Sequence, residues 1–240
     1  MKEDNVPIKL TVLLPTFNEA STIEKMLDSV RNNIPKNINT EILVIDDNSP
    51  DGTSDIVNSY FQKLDTEFCN KIHTRKEKRG LSSAIIDGIK MARGEYVLIM
   101  DSDFSHPPYL ITDMYDTITK NEFDIVIGSR YITGGKSEDW PIFRKFMSRL
   151  ANLIPKLMLG LDVNDSMSGF FIIKENLIDN FEFRAIGWKI LLEILVKTKT
   201  TKIKEIPYSC KNRNEGESKF SFSIINDYFA LLKILMDYRR

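Results

Sequence analysis

The chain has 240 residues, 42% of them hydrophobic and 28% charged, so it can bury a core large enough for one α/β domain or two small ones. Its formal net charge of −1 gives no basis for general nucleic-acid binding, and we expect no nucleic-acid partner. The only cysteines, Cys69 and Cys210, form no CxxC or Cys/His pattern, which argues against a zinc site and a disulfide scaffold. Because no run of 18 apolar residues is present, we expect no membrane-spanning segment in this chain.

Short apolar runs alternate with helical spacing over the first 130 residues. Strands are predicted at residues 10–14, 41–45, 71–74, 96–100 and 123–128. Helices are predicted at residues 21–30, 54–64, 83–91 and 107–121. This alternation predicts an α/β fold with a doubly wound, mostly parallel central sheet flanked by helices.

Beyond residue 130 the pattern is less regular. Residues 143–161 have the spacing of an amphipathic helix, with an interruption expected near Pro155. Further elements are predicted at residues 187–196 (helix), 204–209 (strand) and 223–237 (helix). The apolar stripe of the last helix fits two arrangements equally, packing into the core or lying at a bilayer interface.

Polar residues follow three of the predicted strands. Asp101 and Asp103 end the strand at 96–100, and further polar strand ends occur at 16–19 and 46–51. Open α/β sheets bind ligands at the carboxyl ends of their strands, and residues two apart on an extended chain face the same side. Two aspartates separated by one residue, taken alone, are also typical of a turn. Three such ends together predict a site for Mg²⁺ or Mn²⁺, which is held by carboxylates and shared with a substrate pyrophosphate.

Other nucleotide-binding and catalytic motifs are incomplete. The segment ending in Lys136-Ser137 lacks the first glycine of a P-loop, because Arg130 stands there, and no GxGxxG follows the first strand. His73 and His106 complete no triad, and His106, beside two prolines, is interpreted as a loop residue. These residues suit a reaction that needs no protein base.

Positive charge is concentrated in the second half of the chain. Residues 128–160 contain six Lys or Arg and two acidic residues, and residues 197–240 contain ten basic and five acidic residues. This surplus suits an anionic ligand or an anionic lipid surface. Four cations lie at a predicted strand end, shortly downstream of it or in a polar loop, and each alone is typical of a solvated surface charge. Together they suit a doubly anionic site; they are Arg130, Arg144, Arg213 and Lys219.

These motifs together resemble the family-2, GT-A-fold glycosyltransferases, and within that family the dolichol-phosphate mannosyltransferases most. The matching segments are LPTFNE at 14–19, VIDDNSPDGT at 44–53, RGLSSA at 79–84, MDSDFSHPP at 100–108, GSRY at 128–131, Trp140-Pro with Arg144, DSMSGF at 165–170 and the loop at 213–219. The resemblance covers about residues 8–222, so we expect a catalytic domain at residues 1–222 followed by the amphipathic, interfacial or core-packing helix at 223–240. Ser105 and Phe171 depart from the pattern, since many relatives have Gln and Arg there.

The resemblance implies an inverting enzyme that transfers mannose from GDP-mannose to dolichyl or another polyprenyl phosphate, with Mg²⁺ or Mn²⁺. It places the guanosine pocket at Pro15, Phe17, Glu19, Ile45 and Asp47. It places the nucleotide and metal contacts at Asp101, Ser102 and Asp103, with Ser105 completing the metal site. It assigns the acceptor phosphate to Arg130 and Arg144. It assigns a loop closing over the diphosphate to Arg213 and Lys219.

Two alternatives stay open at this point. One keeps the fold and changes the donor to UDP-glucose or another UDP-sugar, and the other is a non-catalytic nucleotide-sugar-binding subunit. The lipid acceptor implies a site at the cytosolic face of a membrane. It also implies a membrane surface, and in some relatives small membrane subunits, as partners.

Overall fold

The computed structural model describes residues 7–64, 69–77, 80–138, 140–179, 181–184, 189–210 and 222–239. The strands are β1 (Leu10–Thr16), β2 (Thr40–Asp46), β3 (Lys71–Thr74), β4 (Tyr96–Ile99), β5 (Ile125–Ser129), β6 (Lys136–Ser137), β7 (Phe171–Lys174), β8 (Ile203–Pro207) and β9 (Ser209–Cys210). The α-helices are α1 (Ile23–Asn33), α2 (Thr53–Gln62), α3 (Leu81–Met91), α4 (Ile111–Lys120), α5 (Ile142–Leu159), α6 (Ile190–Thr198) and α7 (Phe222–Arg239). Two 3₁₀ turns are Pro108–Leu110 and Glu175–Leu177.

The main sheet has the strand order β3-β2-β1-β4-β7-β5-β8. Its strand pairs are parallel except those of β7, which runs antiparallel to both β4 and β5. Strands β6 and β9 form a separate two-stranded parallel ladder. The predicted α/β fold with a mostly parallel central sheet is therefore confirmed, with one antiparallel strand inserted near its middle.

The core lies on both faces of the sheet. On one face Leu13, Ile45 and Val97 pack with residues of α3, α6 and α7. On the other face Leu14 and Val44 pack with residues of α1 and α4. Every residue of β1 and β2 is buried, as expected for strands covered on both faces. The polar residues at the ends of these strands are therefore held by a rigid support.

Helix α5 runs without a break from Ile142 to Leu159, so the predicted interruption near Pro155 is wrong. A proline inside a helix leaves the carbonyl four residues earlier without its usual N–H donor. Here that carbonyl belongs to Ala151, and it accepts a hydrogen bond of 2.9 Å from the Tyr228 hydroxyl of α7. A donor from a neighbouring helix thus replaces the missing backbone bond.

The C-terminal helix α7 packs into the core. Tyr228, Leu231, Leu232 and Leu235 are buried within the cluster that also contains α6. Of the two arrangements that its sequence allows, this is the core-packing one, while a division of domains at residue 222 stays a prediction. Among the residues that the structure describes, no helix combines the length and apolarity needed to cross a bilayer.

Candidate active site at the carboxyl ends of the strands

Three strand ends meet at one edge of the sheet, as their sequences predict. The Asp47 N–H, just after β2, donates to the Thr16 carbonyl of β1 at 2.9 Å. The buried Ser102 hydroxyl, just after β4, donates to the Pro15 carbonyl at 3.2 Å. The Asn18 N–H donates to Ser49 Oγ at 2.9 Å. The loops after β1, β2 and β4 therefore form one connected surface.

Each of these loops contains a residue with left-handed backbone geometry. Asn18 and Asn48 both have φ of 60°, and Phe104 has φ of 61°. Asparagine tolerates this conformation, but a bulky residue such as phenylalanine rarely adopts it. Strain of this kind, of order 1–3 kcal/mol per residue, collects at functional sites where the surrounding structure enforces it. The turn that follows Asp103 is thus held in an unfavourable geometry by its neighbours.

His106 enforces that turn. Its Nδ1 accepts a hydrogen bond of 2.8 Å from the Asp101 N–H, and its ring stacks on Phe170 with centroids 5.2 Å apart. Burial lowers the pKa of His106, and an Nδ1 that accepts a hydrogen bond requires the neutral ring. The 3.8 Å approach of Nδ1 to the Asp101 carboxylate is therefore a contact and not an ion pair. His106 therefore has a structural role: it holds the loop in place through the Asp101 N–H and the Phe170 ring.

The acidic residues of the β4 loop have the donor chemistry of a cation site that is shared with a substrate. Asp101 and Asp103 lie on one loop, and Asp103 Oδ1 accepts from the Ser105 N–H at 3.0 Å, which holds Ser105 against that carboxylate. Within the described residues no three His, Cys, Asp or Glu side chains are grouped closely enough to enclose a metal. Mg²⁺-type ions are typically held by one or two carboxylates, with substrate phosphates and water completing the shell. The residues present fit that arrangement.

The carboxylates after β2 are engaged inside the protein. Asp46 accepts hydrogen bonds from the Ser49 N–H, the Ser49 hydroxyl and the Ser54 hydroxyl at 2.6 to 2.9 Å. Asp47 binds Arg75 at 2.6 Å and the Gly80 N–H at 2.8 Å, through different oxygens. Arg75 is buried and also lies 3.1 Å from Asp87. Sequence reasoning missed Arg75, because nothing near residue 75 in the chain indicates its partners.

The other residues expected around a guanosine differ in their access to solvent. Phe17 and Glu19 are partly exposed at the sheet edge, whereas Pro15 and Ile45 are buried in their strands. The Ile45 side chain belongs to the core, so it would support such a pocket from behind. Glu19 accepts a hydrogen bond of 2.7 Å from the Thr22 hydroxyl, which fixes the start of α1.

Arg130, just after β5, is held by Asp165 through a two-point ion pair. Arg130 Nε and Nη2 donate to the two Asp165 oxygens at 2.8 Å each, and the Arg130 backbone N–H donates at 3.0 Å. Asp165 is fully buried and Arg130 is nearly so, and the carboxylate raises the pKa of Arg130 despite this burial. The pair leaves further guanidinium N–H groups for other acceptors. Asp165 lies in the quoted DSMSGF segment, but sequence reasoning gave it no role.

Residues 165–170 connect this cation to the acidic loop. Asp165 holds Arg130, and Phe170 stacks on His106. Gly169 lies between them and is close to the acidic loop, because a Cβ there would be 3.2 Å from His106 Cε1 and 3.7 Å from Asp101 Oδ1. A Cβ at Gly169 would press on the His106 ring and come into ordinary contact with Asp101. Residues 165–170 thus contact Arg130 at one end and the loop of Asp101 at the other.

Arg144, in the first turn of α5, stacks on Trp140 with its guanidinium carbon 3.9 Å from the ring centroid. The same ring lies 5.5 Å from the guanidinium carbon of Arg130. Trp140 therefore stands between the two arginines predicted to bind one phosphate. Lys189 is partly buried near Arg130, and this burial lowers its pKa to about 8. Arg213 and Lys219 lie outside the described residues, so their predicted loop stays a prediction.

Comparison with known proteins identifies the family. Residues 11–181 match the family model described as "Glycosyl transferase family 2". The chain belongs to glycosyl transferase family 2. It is 38% identical over 231 residues to a dolichol-phosphate mannosyltransferase of Pyrococcus furiosus, covering 95% of this chain and 64% of that relative's length. It is 31% identical over 239 residues to a dolichol-phosphate mannosyltransferase of Saccharomyces cerevisiae, covering 95% of this chain and 87% of the relative.

Solved structures share the fold of this family-2 chain. Glucosyl-3-phosphoglycerate synthase of Mycobacterium tuberculosis superposes with a TM-score of 0.69 at 17% identity, covering 97% of this chain and 80% of that one. A mannosyltransferase of Pyrobaculum calidifontis in complex with GDP-Man and Mn²⁺ superposes with a TM-score of 0.62 at 18% identity, covering 100% and 67%. The GT-A fold expected from the motifs is thus confirmed.

Proposed function

We propose that this family-2 glycosyltransferase transfers mannose from GDP-mannose to dolichyl or another polyprenyl phosphate. The observation that carries the proposal is the pairing of an acidic loop after β4 with a buried, oriented Arg130, joined by residues 165–170. Such a site can hold a diphosphate at one end and an anionic acceptor at the other. The names of relatives that are 31–38% identical support the choice of sugar and acceptor.

The reaction is a single displacement at the anomeric carbon. An oxygen of the acceptor phosphate forms the new bond to C1 of mannose, while the bond from C1 to the diphosphate oxygen breaks and GDP leaves with that electron pair. Attack opposite to the leaving group inverts the anomeric configuration. A phosphate monoester is largely ionised near neutral pH, because its second pKa is about 6. The acceptor therefore needs no protein base, in agreement with the structural role of His106.

The donor end is proposed at the ends of β1, β2 and β4. Phe17 and Glu19 border the guanosine, with Pro15, Ile45 and Asp47 building the wall behind them. Asp101, Ser102 and Asp103 lie at the diphosphate, where Asp101, Asp103 and Ser105 would hold Mg²⁺ or Mn²⁺. A divalent cation bound there would neutralise charge developing on the departing diphosphate. Arg213 and Lys219 are proposed to close over the same group.

The acceptor end is proposed at Arg130 and Arg144. Asp165 fixes the orientation of the Arg130 guanidinium before any ligand binds, so little of the binding free energy goes into ordering that side chain. Trp140 fixes the plane of the Arg144 guanidinium in the same way. The acceptor is a lipid, and we propose that the enzyme works at the cytosolic face of a membrane, with small membrane subunits as possible partners.

Turnover by folded variants tests the site. With GDP-mannose, Mn²⁺ and a short polyprenyl phosphate, Asp103→Ala and Arg144→Ala should each lower kcat by about 100-fold or more, the usual loss for a group that stabilises transition-state charge. The exposed Asp113 of α4 provides the control, since Asp113→Ala should leave kcat unchanged. Wild-type rates in both site variants, with unchanged melting curves, would show that Asp103 and Arg144 do not have the proposed roles.

The choice of donor nucleotide is tested separately by thermal shift. A ligand that binds only the folded state raises the melting temperature, and at equal concentration the tighter ligand raises it more. With Mn²⁺ present, GDP should raise the melting temperature more than UDP at equal concentration. Stabilisation by UDP alone would favour a UDP-sugar donor instead.

A further inference from the structure

Helix α5 presents an apolar face to solvent. Ile142 is 87% exposed and Leu157 is 74% exposed. The side chains that share this face follow three- and four-residue spacing, so they form one continuous stripe along the 18-residue helix. We call them the α5 stripe: Ile142, Phe143, Phe146, Leu150, Leu153 and Leu157.

The opposite face of α5 attaches the helix to the protein. Asn152, Pro155 and Leu159 are buried there. The Asn152 side chain accepts hydrogen bonds from Ser166 Oγ at 3.2 Å and the Met167 N–H at 3.1 Å. A helix on the surface of a globular protein normally turns its polar side to water. Here the solvent-facing side of α5 is apolar along its length, whereas the polar Asn152 side chain faces the protein interior.

The charges of α5 are all positive. The helix contains four basic residues and no acidic residue. Lys145, Arg149 and Lys156 recur at four- and seven-residue intervals, which places them together along one flank of the stripe. Two of them also line a cleft of about 510 Å³ that reaches Arg130 and Lys136. Long cationic side chains beside an apolar face are typical of a helix that lies in a lipid headgroup region.

Helix α7, for which the sequence allowed an interfacial position, has a different surface. Its apolar residues Leu231, Leu232 and Leu235 are buried. Its exposed side includes Asp227, Lys233 and Asp237. A face with both signs of charge has no preference for an anionic bilayer.

We propose that the α5 stripe docks the enzyme on an anionic lipid bilayer. The inference rests on the proposed function, since a polyprenyl phosphate carries its phosphate at the membrane surface, and Arg144 lies in the first turn of the same helix. The charges favour a bilayer over a second copy of this chain. Two copies meeting at the stripe would bring their cationic flanks together without any acidic residue of α5 to balance them.

Flotation of the full chain with vesicles tests the docking without any substrate. The chain should float with phosphatidylcholine vesicles containing about 30% phosphatidylglycerol, and less with pure phosphatidylcholine, because cations near a bilayer gain from anionic lipid. Leu153→Gln/Leu157→Gln should lower the partition coefficient by at least about tenfold, because apolar area buried at the interface drives such binding. The matched control is Tyr109→Gln/Phe229→Gln, which changes two exposed aromatic residues elsewhere and should bind as the wild type does.

Several outcomes would overturn the docking. These are a wild-type chain that does not float, an equal loss in the control, or a lipid-free dimer that the stripe variant converts to a monomer. Turnover of a water-soluble, short-chain polyprenyl phosphate without vesicles separates this result from the proposed function. The stripe variant should keep that turnover. A chain that floats through the stripe but transfers no mannose would support the docking and refute the proposed function.

Discussion

Arg130 and Asp165 form the most consequential pair of residues in the site, because both charges are buried and each neutralises the other. Removing one partner of such a pair leaves the other charge without compensation, at a cost of about 3–5 kcal/mol. Asp165→Asn should therefore lower the free energy of unfolding by that amount, measured by urea denaturation. The control is Asp162→Asn, which changes a fully exposed acid nearby. Equal stability of the two variants would mean that Arg130 is held by other contacts.

Lys189 makes the stability of the folded protein depend on pH. Its pKa in the folded protein is lowered to about 8, against 10.5 for an ordinary lysine, because its side chain is partly buried and lies near Arg130. Between these values the unfolded chain binds more protons than the folded one, so stability contributed through Lys189 rises with pH across that window. Below pH 8 the folded protein carries the full cost of the buried charge. Lys189→Met should raise the melting temperature at pH 7, and this gain should shrink as the pH approaches about 10.

The control for this comparison is Lys204→Met, an exposed lysine of β8 whose replacement should have a small effect at both pH values. A Lys189→Met gain that does not change with pH would show that the ammonium is not buried in solution.

Sequence reasoning at the residue scale found the groups at strand ends and missed the groups that hold them. Asp101 and Asp103 were predictable, because an apolar strand that stops in two acids is a local pattern. Arg75, Asp165 and His106 act through partners that folding alone brings near. Asp165 meets Arg130 across 35 positions of the chain. His106 is a loop residue, as interpreted, but the sequence did not show that its ring is buried against Phe170.

At the scale of elements, α5 and α7 depend on each other through one hydrogen bond. The Tyr228 hydroxyl satisfies the Ala151 carbonyl that Pro155 leaves without a donor. Tyr228→Phe should lower the free energy of unfolding by about 1–2 kcal/mol, because it leaves a carbonyl unsatisfied. In a Pro155→Ala background the new N–H can bond to Ala151, so the same change should cost less. Urea denaturation of the two single variants and the double variant measures the coupling free energy between Tyr228 and Pro155. Losses of stability that simply add in the double variant would contradict the prediction.

Periodicity predicted the alternating elements of the first 130 residues correctly, and its larger failures lie further along the chain. It gave no strand at β7, because a four-residue apolar run fits a buried strand and a helix segment equally. It interrupted α5 at Pro155, because the rule for proline takes no account of a donor supplied by another helix. In both cases the deciding interaction is long-range. The same limit applies to the last helix, whose stripe alone did not show that it packs inward.

On the scale of the whole molecule, residues 165–170 link Arg130 to the loop after β4, where we propose that the diphosphate binds. The resemblance of motifs predicted the fold and the family, and both were confirmed. The roles of the individual site residues stay predictions. The α5 stripe would orient the enzyme on the membrane. A bilayer bound to the stripe would lie on the side of Arg144, where we propose that the acceptor phosphate binds.

The most direct test of the account is transfer of radiolabelled sugar into an organic-extractable product, compared across donors and acceptors. We expect label from GDP-mannose with a polyprenyl phosphate and Mn²⁺, and none when UDP-glucose replaces the donor or when the acceptor is the unphosphorylated alcohol. Equal or greater transfer from UDP-glucose, transfer to the alcohol, or no transfer from GDP-mannose to the phosphate would contradict it.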